Sequence, residues 1–153
     1  MNLDDLRRDI DRIDAAIVAL LDERFGKALM ARRLKADTMD PAREEAVLAR
    51  VAALSTELAD AAFTVPLFKE VIRKSRDLQD DPHLTVGFVG TRGSEADAAV
   101  RRTARDGRPV RCVPFGDEDG LRDAARCGLV DYACMPDGAV LTLSEAMSAK
   151  NPG

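Results

Sequence analysis

The first stretch of sequence constrains the chain most. Apolar residues recur at Leu3, Leu6, Ile10, Ile13, Ile17, Leu20 and Leu21, three and four apart, with charged residues between them. That spacing is the mark of an amphipathic helix. The pattern runs on to Lys35 without a proline and with Gly26 as its one glycine. A helix over residues 3–35 is about 50 Å long at about 1.5 Å per residue. The few dozen residues between it and position 80 are too few to cover such a stripe. A partner is therefore implied, most simply a second copy of the chain packed along the same face.

The chain divides near Asp80-Asp81-Pro82-His83. Nine of the ten glycines follow this point, separated by short β-branched runs. A shift of that kind marks a domain boundary, and the expected domains are 1–80 and 84–153. Before it, a second helix is expected over residues 40–60, with Asp40 as N-cap and Pro41 at the first helical position. A third is expected from a Thr64 cap to Gln79, with Leu67, Phe68, Val71 and Ile72 inward. After it, strands are expected over 84–89, 109–114 and 129–135. Helices are expected over 94–105 and 117–127, and a last short one over 141–149. This alternation predicts a small parallel sheet with right-handed crossovers. The expected fold class is thus α+β: an all-α three-helix domain, then an α/β lobe.

Charged residues make up 33% of the chain, both signs are interleaved and the net charge is -4. A nucleic-acid binder would carry a basic excess on one face. No apolar run is long enough for a membrane span. The acidic start, Met1-Asn2-Leu3-Asp4-Asp5, lacks the layout of a secretion signal. Cys112, Cys127 and Cys134 are too few for a disulfide framework and fit reduced thiols in a cytoplasmic protein. His83 stands alone beside Pro82, which speaks for a linker residue and against a transition-metal site. The glycines at 87, 90 and 93 lack dinucleotide-fingerprint spacing and read as tight-turn residues.

Polar residues interrupt the apolar stripes in a shared way. On the first helix the series Ile10, Ile13, Ile17, Leu20 continues to Arg24, Ala28, Ala31 and Lys35, and Arg7 lies beside the same face. On the second, the face of Val47, Leu48 and Val51 extends back to Glu44 and Asp40. On the third, Phe68, Val71 and Ile72 lead on to Ser75 and Gln79. Buried charge is costly unless it is paired or binds something. Any one of Arg7, Arg24 and Lys35 alone is equally well read as an interhelical ion pair or a snorkelling side chain. Three helices doing this together describe a polar pocket with two or three cations, suited to a small dianion.

These residues resemble a known family. Leu6-Arg7-Arg8-Asp9-Ile10-Asp11-Arg12-Ile13-Asp14, Leu20-Leu21-Asp22-Glu23-Arg24, Lys35, Asp40-Pro41-Ala42-Arg43-Glu44-Glu45 and the Phe68…Ser75…Gln79 spacing are similar to the all-helical chorismate mutases, over residues 3–79. The resemblance implies a swapped homodimer that converts chorismate to prephenate without a cofactor. It implies that Arg24 binds a substrate carboxylate and that Arg7 does so in trans. Arg7 and Arg24 are about 25 Å apart along one helix, so one small molecule cannot touch both from the same chain. It further implies that Lys35 and Gln79 donate to the ether oxygen, where negative charge builds. Glu44 would accept from the ring hydroxyl with the backbone near Asp40 helping, and Ser75 and Arg43 would help position the substrate. The segment between Lys35 and Asp40 is short for the family. The same pocket serves relatives acting on isochorismate or amino-deoxychorismate. A non-catalytic module that binds such a metabolite, or supports another shikimate-pathway enzyme, is the alternative.

The second half resembles the opening of a prephenate dehydratase domain, in Val86-Gly87-Phe88-Val89-Gly90-Thr91-Arg92-Gly93-Ser94 and Val130-Asp131-Tyr132-Ala133-Cys134-Met135-Pro136. That family's downstream Thr-Arg motif has no counterpart here. Thr91-Arg92 stands in the first glycine turn instead, so no dehydratase activity is expected.

Overall fold

The structure, a computed structural model, describes residues 1–103 and 108–142. Three helices come first: α1 (Leu3–Arg32), α2 (Pro41–Leu54) and α3 (Ala61–Asp80). Then follow β1 (Leu84–Val89), α4 (Glu95–Thr103), β2 (Val110–Phe115), α5 (Glu118–Arg126), β3 (Tyr132–Cys134) and β4 (Val140–Thr142). The chain forms two compact units. One comprises Met1–Ala28 and Met39–Leu78; the other comprises Leu29–Thr38 and the described residues from Gln79 onward.

Local chemistry sets the helix ends. The last turn of α1 tightens: the amides of Arg33, Leu34 and Lys35 donate to the carbonyls three residues back. Such i→i−3 bonds wind a helix down, so α1 stops at Arg32 and Lys35 lies beyond it, not on the helix. Asp40 caps α2 as expected, its carboxylate accepting from the Arg43 amide at 3.0 Å, with Pro41 in the first turn. α2 ends at Leu54, short of position 60. Ser55 donates its hydroxyl to the Val51 carbonyl, and the Thr56 hydroxyl accepts from the Ala59 amide. Hydroxyl side chains that bond nearby backbone compete with helix in this way. Asp60, not Thr64, opens α3: its carboxylate accepts from the Phe63 amide, while Thr64 lies within the helix, 2.6 Å from the Ser55 hydroxyl.

In the first unit Val47, Val51 and Ile72 form a buried core between α2 and α3, flanked by Leu48, Val65 and Phe68. The stripe on α1 stays open, with Leu6, Ile10, Ile13, Ile17 and Leu20 between 46% and 64% exposed.

In the second unit the strand order is β2-β1-β3-β4. β1 pairs parallel with β2 and β3, but β4 runs antiparallel to β3. The sheet is therefore mixed, where a parallel one was expected. The cause is the turn at Pro136–Ala139: the Met135 amide bonds the Ala139 carbonyl, and Gly138 takes φ +88°. Asp137-Gly138 is a hairpin signal, and it returns the chain as β4 where a helix was expected to begin. The remainder of that expected helix, over 143–149, lies outside the described residues.

β1 alternates its faces as a strand must. Val86 and Phe88 join Val100 of α4 and Cys112 in one buried cluster. Val89 joins Leu121 and Ala125 of α5, with Val130, Ala133 and Met135, in the other. A Cβ placed on Gly87 would lie 2.4 Å from Leu121 Cδ1, so α5 packs directly on the β1 backbone.

Candidate active site

Arg24 is half-buried near the C-terminal end of α1. Its Nη1 donates to Ser75 Oγ at 3.1 Å, and the buried Ser75 hydroxyl donates in turn to the Val71 carbonyl at 3.0 Å. Burial, then the charges of Arg43 and Arg50, hold the Arg24 guanidinium below its ordinary pKa. Among the described residues no carboxylate pairs with Arg24. A guanidinium has five N–H donors in a planar fork. Here it is anchored by a neutral hydroxyl, set among other cations and partly desolvated, which is an arrangement that attracts a carboxylate.

Glu44 lies in the first turn of α2 and accepts from Arg76 Nη1 of α3 at 2.8 Å, both side chains being less than a third exposed. The sequence reading did not single out Arg76, although it adjoins Ser75 and stands three residues before Gln79 on α3. Asp40 uses one carboxylate oxygen to cap α2, and Arg43 supplies its amide to that cap. Arg7 is exposed and lies 3.5 Å from Asp4.

Lys35 and Gln79 belong to the second unit. Lys35 is half-buried in the turn after α1, where its amide donates to the Arg32 carbonyl at 3.2 Å and its own carbonyl accepts from Arg32 Nη1 at 2.8 Å. Gln79 is half-buried in the last turn of α3. The structure thus joins Arg24 to Ser75, ties Glu44 to Arg76, and sets Arg43 within electrostatic reach of Arg24.

The glycine turn after β1 has φ +134° at Gly90 and +77° at Gly93, conformations that favour glycine. The Gly93 amide already donates to the buried Asp97 at 2.8 Å. Cys112, Cys127 and Cys134 are free thiols, and burial pushes the Cys112 thiol up. Among the described residues no cluster of His, Cys, Asp or Glu has a metal-holding arrangement, and no helix is long and apolar enough to cross a membrane.

The long first helix thus sets a half-buried guanidinium against a serine of the third. Residues 6–80 match the family chorismate mutase type II and form a domain of that family. That domain covers 75 of the 153 residues and indicates an isomerase, a chorismate mutase. Neither a curated protein nor a solved structure matches it.

Proposed function

We propose that the chain converts chorismate to prephenate by an intramolecular Claisen rearrangement, as a cytoplasmic homodimer that uses no cofactor and has no dehydratase activity. The observation that carries this reading is Arg24, half-buried among cations and held by Ser75. It supports capture of a substrate carboxylate in a bidentate grip. Arg7 of the second copy binds the other carboxylate. Lys35 and Gln79 donate to the ether oxygen as its bond to carbon breaks, and stabilise the charge that collects there. Glu44, oriented by Arg76, accepts from the ring hydroxyl, with the backbone near Asp40 assisting. Arg43 adds positive charge beside Arg24, and Ser75 fixes the guanidinium. The enzyme holds the chair-like conformer, and no nucleophile or general base takes part. Residues 1–80 form the mutase domain on this reading. The reading of 84–153 as a dehydratase-like lobe rests on its glycine turn and the Val130–Pro136 segment alone, since the family match ends at residue 80.

The test follows loss of chorismate absorbance with the purified chain and with Lys35→Ala, products being identified by chromatography. Prephenate from the parent, with a rate lower by about 10²-fold or more in the variant, is the expected result. Pyruvate with a hydroxybenzoate would instead show a lyase. Binding of chorismate without turnover would show a metabolite-binding module.

A further inference from the structure

The sequence places Lys35 on a helix, but the structure places it in a turn outside any regular ladder. A lysine that stabilises a transition state needs a fixed backbone, because its four-carbon stem is flexible. Arg33, two residues earlier in the same turn, is itself firmly held. Its guanidinium forks onto Asp131, Nη1 to Oδ1 at 2.9 Å and Nη2 to Oδ2 at 2.8 Å, and Nη2 also lies 3.4 Å from Thr85 Oγ1. Asp131 is itself locked. Its Oδ2 accepts from the Thr85 amide at 2.8 Å, and its own amide donates to the Thr85 carbonyl at 2.7 Å. Thr85 is fully buried on β1, the strand between β2 and β3.

We infer that Arg33 and Asp131 are positioning residues for the rearrangement, their bidentate pair pinning the turn that carries Lys35 to the sheet within the same compact unit. Arg33, Lys35, Thr85 and Asp131 all belong to that unit. The inference deepens the proposed function and rests on it for the role of Lys35. It gives the α/β lobe a task that needs none of a dehydratase's own chemistry: the lobe is the post to which a catalytic turn is tied. The pair is less than a third exposed on either side, so it is screened less than a surface pair. Burial pushes the Asp131 carboxyl up, but the Arg33 hydrogen bonds, the Thr85 amide and the Arg33 charge together bring it below its usual range. The fork therefore joins two full charges.

A purely structural ion pair would look the same in the coordinates, so the test separates the two. Arg33→Ala, Arg33→Lys and Asp131→Asn are made in the full chain, each alone and in the Lys35→Ala background. Chorismate kinetics and amide hydrogen exchange over residues 33–38 are recorded. If Arg33 acts through Lys35, Arg33→Ala and Asp131→Asn lower kcat by about ten- to a hundredfold with little change in KM. They also speed exchange over 33–38, while Arg33→Lys, which keeps the charge but not the fork, loses less. Added to Lys35→Ala, they lower the rate no further. An equal fall in both backgrounds, or folded variants with unchanged kcat, would overturn the inference. A parent that makes no prephenate would overturn the mutase reading instead. The exchange data would then decide the anchor alone: faster exchange over 33–38 sustains it and unchanged exchange removes it.

Discussion

Ser75 uses its hydroxyl in both directions, donating to the Val71 carbonyl and accepting from Arg24. Because its proton is committed to the backbone, a lone pair faces the guanidinium, and the helix itself sets where Arg24 points. Ser75→Ala should lower kcat/KM about tenfold, as expected for the loss of about 1.5 kcal/mol in a charged hydrogen bond. Arg24→Lys should cost more, about 10²-fold, because an ammonium cannot grip a carboxylate with two parallel bonds. Initial rates of chorismate consumption check both. Arg24 and Ser75 were legible in the sequence because each interrupts an apolar stripe. Arg76 was not. It stands among Arg73, Lys74 and Asp77, a run that reads as a solvated face. Its partner, Glu44, is 32 residues away in sequence. Arg33 was hidden in the same way, since its meaning lies in Asp131, 98 residues on.

Among the elements, β1 was read to its bounds, because an apolar run between Pro82 and a glycine turn leaves little choice. Helix ends were read less well. The side-chain period through Ala31 and Lys35 continues past Arg32, whereas the backbone tightens there, and periodicity does not register that change. The Asp137-Gly138 pair is a hairpin signal legible in the sequence, but the expectation of a helix over 141–149 passed over it. Close packing of helix on strand is also set at this scale. Gly87→Ala would drive a Cβ to 2.4 Å from Leu121 Cδ1 and 3.0 Å from Phe115 Cε2, and Leu121 is fully buried with no room to swing aside. Overpacking of this kind costs about 1–3 kcal/mol. A lower melting temperature by circular dichroism is the expected outcome.

For the molecule as a whole, the open stripe on α1 is the feature that asks for a second copy. On the proposed dimer, Arg7 would serve the site of the second copy, since it cannot share a small ligand with Arg24 of its own chain. Complementation decides the matter. Arg7→Ala and Arg24→Ala chains, each inactive alone, are unfolded together, refolded and assayed. Recovery of about a quarter of parental activity is expected, because half the dimers are mixed and one of their two sites is whole. No recovery would mean that both arginines serve, or fail to serve, within one chain. The long first helix made a partner legible from the sequence, while the identity of the shared residues came from family resemblance and not from packing.

Two different lines run through this chain. The chorismate mutase match stops at residue 80. Packing divides it after residues 28, 38 and 78, and gives Leu29–Thr38 to the unit that holds Asp131. A gene fragment cut at the first line would keep the whole recognisable family segment and discard the carboxylate on which Arg33 rests. Chimeras that exchange the mutase part between relatives should therefore carry the lobe with it, because what is inherited as a motif and what is assembled as a body are not the same stretch of chain.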